Sequence, residues 1–261
     1  MELDEAKACV ARVGGTNCDL EMKMVLEELG IKTEILHMKQ IVRRGLSEYQ
    51  ILVFPGGFSY GDYVRAGAIW GKEVHAKIKS ELKAFIEEEK IIMGICNGFQ
   101  VMIEAGILPD GGFADVPKAA LATNASAKYE CRWTYLRVER GGTPFTMGLS
   151  EGEILRVPVG HGEGRFITPS DEALKELVRE ECVLLRYALP SGEVANGRYP
   201  YNPNGSIHDI AGICNRKGNI MGMMPHPERA FFGWQLPDKR DAEYGDGKKI
   251  FDGIIRYLQE Y

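Results

Sequence analysis

Ile91-Ile92-Met93-Gly94-Ile95-Cys96-Asn97-Gly98 is an apolar run that ends on a cysteine held between glycines. A short buried strand that turns abruptly into a helix needs small neighbours at the corner, because a bulky side chain there meets the adjoining backbone. The turn would hold Cys96 up for attack, beside the positive end of the following helix, where a thiolate is stabilised. Gly94 to Gly98 alone leave a buried core cysteine as an equal alternative.

Working outward, the same strand-then-turn pattern recurs at Ile51-Leu52-Val53-Phe54, followed by Pro55-Gly56-Gly57-Phe58-Ser59-Tyr60-Gly61-Asp62-Tyr63. Acyl transfer through a thioester needs backbone N–H groups aimed at the developing oxyanion, and a Gly-Gly turn lets main chain approach a substrate closely. Gly57 is the candidate donor, with the amide of Asn97 as the second. A plain turn is the alternative for Gly-Gly alone.

Far downstream lies Met223-Met224-Pro225-His226-Pro227-Glu228-Arg229. Flanking prolines argue for extended backbone, in which positions 226 and 228 project to one side, so that Glu228 reaches the imidazole. A carboxylate on one ring nitrogen fixes the tautomer and leaves the other to exchange a proton with a thiol. Nucleophile, base and orienter are then all present, and a catalytic triad of Cys96, His226 and Glu228 is the favoured reading.

Short β-rich runs alternate with helical patterns, which predicts an α/β fold with an open, mainly parallel twisted sheet covered by helices on both faces. Strands are expected near residues 7–13, 32–37, 51–54 and 91–95, and helices over 18–29, 72–89, 97–105 and 247–260. The middle, 118–224, reads as extra β structure, with runs at Trp133 to Val138, Ile154 to Val159 and Val183 to Ala188. Nucleophile and oxyanion loop both follow strands, at the sheet edge where open α/β folds bind ligands. One domain spanning residues 1–261 is expected, with residues 236–249 as a surface loop.

A chain of 261 residues, 44% hydrophobic and 26% charged, can bury a substantial core. Its net charge of −5 and lack of a clustered basic face argue against nucleic-acid binding. The six cysteines are scattered without a Cys-x-x-Cys, against disulfides or a zinc site. Neither a phosphate-binding Gly-x-x-x-x-Gly-Lys run nor a dinucleotide fingerprint occurs, no stretch is long enough for a membrane span, and the acidic start is unlike a signal. Cytoplasmic residence follows as an expectation. His37, His75, Cys131 and Cys214 stand away from the motifs and read as structural, and Trp70 as either core or interface.

These motifs resemble those of class I (triad) glutamine amidotransferases. The loop Pro-Gly-Gly-Phe-Ser-Tyr-Gly-Asp-Tyr-Val-Arg-Ala-Gly-Ala at 55–68 is similar to that of the glutaminase subunits of phosphoribosylformylglycinamidine synthase. The likeness also takes in residues 13–19, Tyr129 to Trp133, His161-Gly162-Glu163-Gly164-Arg165 and Asn202 to Ser206. It implies Cys96 as nucleophile, His226 as base and acid, Glu228 as orienter, and Gln100, Gly56 and Phe58 as contacts to L-glutamine. It implies no metal and no cofactor in this chain. ATP and Mg would belong to a large synthetase subunit, with a small accessory subunit as further partner, in a complex making formylglycinamidine ribonucleotide for purine biosynthesis. A stand-alone γ-glutamyl hydrolase or peptidase with the same triad is the alternative; a noncatalytic module is disfavoured by the intact triad. The roles of His161 and of residues 141–152 and 236–249 stay open.

Overall fold

A computed structural model describes residue 3, residues 5–238 and residues 241–260 of the chain. Its elements run β1 (Lys7–Arg12), α1 (Asp19–Glu28), β2 (Lys32–His37), α2 (Met38–Arg44), β3 (Ile51–Phe54), α3 (Ala68–Lys77), α4 (Lys79–Glu87), β4 (Ile91–Ile95) and α5 (Asn97–Glu104). The second half adds β5 (Ala120–Ala122), β6 (Glu130–Val138), β7 (Ile154–His161), β8 (Arg165–Ile167), α6 (Asp171–Arg179), β9 (Val183–Ala188), β10 (Ile210–Cys214), β11 (Ile220–Met223) and α7 (Gly247–Glu260).

A nine-stranded sheet of order β2-β1-β3-β4-β11-β10-β9-β6-β7 forms the centre, with β5 and β8 as a separate antiparallel pair. From β2 to β11 every neighbour is parallel. From β11 to β7 every neighbour is antiparallel. The extra β structure of the middle of the chain therefore continues the same sheet, and the sheet is mixed, parallel in one half only. Burial explains the division. β3 and β4 are buried at every position, as strands covered on both faces must be. β7 alternates half-buried with buried positions, the pattern of an antiparallel edge strand with one face on the core.

The expected helix over 72–89 is two helices, parted where Ile78 leaves helical geometry at φ −130° and goes into the core. Its first part starts earlier, at Ala68, after Gly67 in left-handed backbone at φ +75°. Gly67 and Gly71 lie against α5: a Cβ on Gly71 would stand 2.5 Å from that of Glu104. Those glycines let α3 approach α5 closely and do not mark a loop. Trp70, on the same helix, is fully buried with its ring edge-on to Phe54, 5.5 Å between centroids, and so belongs to the core. Two further helices stand where none was expected. α2 is capped by His37, whose Nδ1 accepts the Lys39 N–H, and α6 by Ser170, whose Oγ accepts the Ala173 N–H.

Among residues 141–152, Thr143 and Phe145 are buried, so that segment packs inward and is only partly surface. Within residues 236–249, positions 239 and 240 lie outside the described residues, and α7 begins at Gly247.

Candidate active site

Cys96 is the residue between β4 and α5, with φ +51° and ψ −107°. A non-glycine side chain in this region stores strain that persists only where the surroundings impose it. Those surroundings are visible. The Cys96 N–H donates to Met223 O on β11 at 2.8 Å, and the flanking glycines leave no room for side chains. A Cβ on Gly98 would fall 1.8 Å from Phe54 O, and one on Gly94 would fall 2.3 Å from Met102 Sδ. The elbow forms because α5 lies directly on β3 and β4. The Cys96 thiol donates a long bond, 3.7 Å, to Gly160 O at the end of β7.

His226 and Glu228 follow β11, the parallel neighbour of β4. Backbone here differs from the expected extended form: residues Pro227–Ala230 make a tight 3-10 turn. Proline opens such a turn readily, since its missing N–H would have no partner at the first position. Glu228 therefore folds back along the turn, and its Oε1 lies 2.6 Å from His226 Nδ1. The His226 N–H donates to Pro158 O on β7 at 2.8 Å, so the antiparallel edge of the sheet fixes the base.

Both side chains are buried, at 2% and 0% exposure, where a charge has little water to stabilise it. Burial presses the His226 pKa down, but the Glu228 carboxylate, with Cys96 and Cys18 adding to it, outweighs this and holds the imidazolium well above the ordinary histidine value. The Nε2 atom is buried with no close hydrogen-bond partner among the described residues. With Nδ1 taken by Glu228, this is the nitrogen left to exchange a proton, and such bonds commonly tighten only when substrate is bound.

The glycine loop lies across the elbow. Gly57 sits at φ +148° in close contact with residues 15–17, where a Cβ would meet Asn17 N at 2.8 Å. Asn97 is buried, accepts the Ser59 N–H at 3.1 Å and donates through Nδ2 to Gln100 Oε1 at 3.0 Å, which ties loop to elbow helix. Gln100 is buried, not solvated, and its Nε2 donates to Glu163 O. Cys96, Gly57, Phe58 and Gln100 all line one cavity of about 230 Å³, together with Gly160, His161, Gly162 and Glu163. Gly56 does not line it. It lies beneath the imidazole, where a Cβ would be 2.7 Å from His226 Cε1, and its carbonyl accepts the Cys18 N–H at 3.2 Å.

Residues that the motifs left unassigned also converge here. Cys18, buried, points its sulfur at the His226–Glu228 pair: donor atoms of the three lie within 4.8 Å of one another. Arg229 Nη2 stands 3.2 Å from the Cys18 sulfur and 3.0 Å from Glu21 Oε2. His161 and Glu163, left open above, and Asp62, present in the glycine loop, all reach the cavity. The signal for them was their place in segments already singled out; which way they point depends on β7, and no spacing reveals that. His37 caps α2 and His75 bonds to Ala105 O, both away from this cavity.

An elbow cysteine, a buried His–Glu pair and a glycine turn around one cavity, at the carboxyl edge of parallel strands, define the class: an α/β enzyme fold organised for nucleophilic attack by sulfur. Residues 5–258 match the CobB/CobQ-like glutamine amidotransferase domain, and the chain belongs to that family. It is 42% identical to the Archaeoglobus fulgidus protein named phosphoribosylformylglycinamidine synthase subunit PurQ, covering 100% of each chain. The Methanocaldococcus jannaschii protein of that name is 40% identical, over 97% of this chain and 99% of its own. Among solved structures, a chain of PurLQS from Thermotoga maritima is similar with a TM-score of 0.75 and 37% identity, covering 97% of this chain and 99% of that one. The glutaminase domain of Trypanosoma brucei CTPS, 12% identical with a TM-score of 0.54 over 96% and 94% of the two chains, shares the fold. No helix among the described residues is long and apolar enough to cross a membrane.

Proposed function

We propose that this chain is a single glutaminase domain that hydrolyses L-glutamine to glutamate and ammonia at Cys96. Ammonia then passes to a separate ATP-dependent synthetase subunit that makes formylglycinamidine ribonucleotide in the cytoplasm. The observation that carries the reading is the buried His226–Glu228 pair, 2.6 Å apart, behind an elbow cysteine that opens into a cavity sized for a small amide. Full-length similarity to proteins named as subunits of phosphoribosylformylglycinamidine synthase supports the acceptor reaction.

In this reading the Cys96 sulfur attacks the side-chain carboxamide carbon, and the oxyanion rests on the N–H groups of Gly57 and Asn97. His226, kept protonated by Glu228, gives its proton to the departing amine, and ammonia leaves. The neutral imidazole next takes a proton from water, and the hydroxide cleaves the thioester to glutamate, returning the sulfur and the imidazolium. Gln100 and Phe58 hold the substrate, and Gly56 gives the imidazole its seat. ATP and Mg belong to the synthetase subunit, and a small accessory subunit completes the complex.

The test is reconstitution. Glutamine hydrolysis should rise when the cognate synthetase subunit is added with ATP and ribonucleotide, and Cys96→Ala should remove it. Rapid cleavage of γ-glutamyl peptides with glutamine ignored would assign the chain to the hydrolase alternative.

A further inference from the structure

The elbow helix α5 is buried at all eight of its positions, where an apolar sequence is expected. Three positions are polar all the same: Asn97, Gln100 and Glu104, whose spacing puts them on one face of the helix. That face holds the glycine loop. Asn97 Oδ1 accepts the Ser59 N–H at 3.1 Å. Gln100 Nε2 donates to Glu163 O, and Glu163 Oε2 accepts the Ala66 N–H at 3.0 Å. Glu104 Oε1 and Oε2 accept from Arg65 Nε and Nη2 at 2.6 and 2.7 Å, a two-pronged pairing. Between these anchors Tyr60, Asp62 and Val64 sit at φ +55°, +54° and +74°, left-handed backbone that residues other than glycine adopt only under strain. Such a segment keeps its shape where its surroundings impose it.

Glu104 is the anchor that stability alone does not explain. It closes α5, at the end of the helix where backbone carbonyls already carry partial negative charge, and it is only 7% exposed. An apolar pair in place of Arg65 and Glu104 would fold as well or better. What the carboxylate does is grip the guanidinium of a loop residue at two points, which fixes direction as well as distance. Resting on the glutamine reading above, we infer that the Arg65–Glu104 pair is a positioning clamp for catalysis: it locks the strained loop to the elbow helix and so keeps the Gly57 N–H aimed at the oxyanion formed at Cys96. The helix then frames both oxyanion donors, Asn97 by its own amide and Gly57 through the loop. Neither Arg65 nor Glu104 lines the cavity, so both act through Gly57.

The experiment uses the chain assembled with its synthetase subunit. Arg65→Lys keeps the charge but loses the fork, and should lower kcat for glutamine hydrolysis about 10- to 100-fold with KM within about threefold. Glu104→Gln should behave alike. The paired replacement Arg65→Met with Glu104→Met should lose the same kcat yet unfold at a urea concentration no lower than the parent, because it leaves no charge buried; it preserves the test if a single variant does not fold. Alkylation of Cys96 by iodoacetamide, which forms no oxyanion, should stay within about threefold in every variant, read on the Cys96 peptide by mass spectrometry. Parent kcat in Arg65→Lys or in the paired variant, a loss borne mainly by KM, a kcat loss that tracks a lower urea midpoint, or a matching fall in alkylation would each overturn the clamp alone. An unsubstituted complex that does not hydrolyse glutamine would remove the glutamine reading and this inference with it.

Discussion

Two buried histidines stand at the ends of two strands of one sheet, and they are held in opposite charge states. His226, after β11 in the parallel half, faces the Glu228 carboxylate and is held well above the ordinary histidine value. His161, the last residue of β7 in the antiparallel half, faces the neutral Asn124 amide, and burial takes its pKa down to about 3, with the His226 charge pressing the same way. Both rings are nearly inaccessible. The difference teaches that burial alone does not set the charge of a histidine. A partner with a full negative charge reverses the desolvation penalty, and an amide does not.

Glu228→Gln is the strongest way to break the contrast. With its largest raising partner removed, the His226 pKa should fall, and glutamine hydrolysis should drop by about 10³- to 10⁴-fold, read from kcat in the assembled enzyme. A variant that keeps its rate and its pH profile would sever the link between the carboxylate and the base.

The reciprocal change, Asn124→Asp, gives His161 the kind of partner His226 has. Its imidazole NMR titration should move upward by several units from about 3. Linkage supplies a second reading. Because the folded pKa of His161 lies below the unfolded one of about 6.5, the native state loses stability as pH falls from about 6.5 toward 3. Asn124→Asp should reduce that loss. For His226 the sign is opposite: its contribution is complete below about 6.5 and disappears as pH rises through the elevated folded value.

Gly98→Ala sharpens the comparison by testing how rigidly the parallel half presents its chemistry. The added carbon would strike Phe54 O, so urea denaturation should show a loss of about 3 kcal/mol. A loss under about 0.5 kcal/mol would mean that α5 can move off β3. Smallest of all, Lys217→Ala removes an ion pair with Glu89 of 2.6 Å whose side chains are both more than half exposed, at 56% and 58%. Less than about 0.5 kcal/mol should follow, because water already solvates each charge. That value is the floor against which the buried His226–Glu228 pair is judged.

The parallel half was readable because strands buried on both faces are written as unbroken apolar runs. β1, β3 and β4 fall where such runs predict them, to within a residue at their ends, and β2, an edge strand in which Lys32, Glu34 and His37 break the run, also falls on the expected residues 32–37. The antiparallel half was harder. Its three longer runs were recognised as β, but their place in the same sheet was not, since pairing over such distances leaves no local pattern. α6 was absorbed into a region read as β-rich although Ser170 caps it, and α2 went unseen because histidine is an uncommon cap.

By itself the sequence determined the elbow, the glycine turn and the His-x-Glu pair, because sharp turns and proline-bounded segments demand particular residues within a few positions. Only tertiary structure decided that Pro158 would hold the backbone of His226, that burial beside Asn124 would keep His161 neutral, and that Asp62 and Glu163 would face one cavity. Each of these joins residues far apart in the chain. Their energies come from burial and from the charge of the partner, and both exist only after the sheet has closed around them.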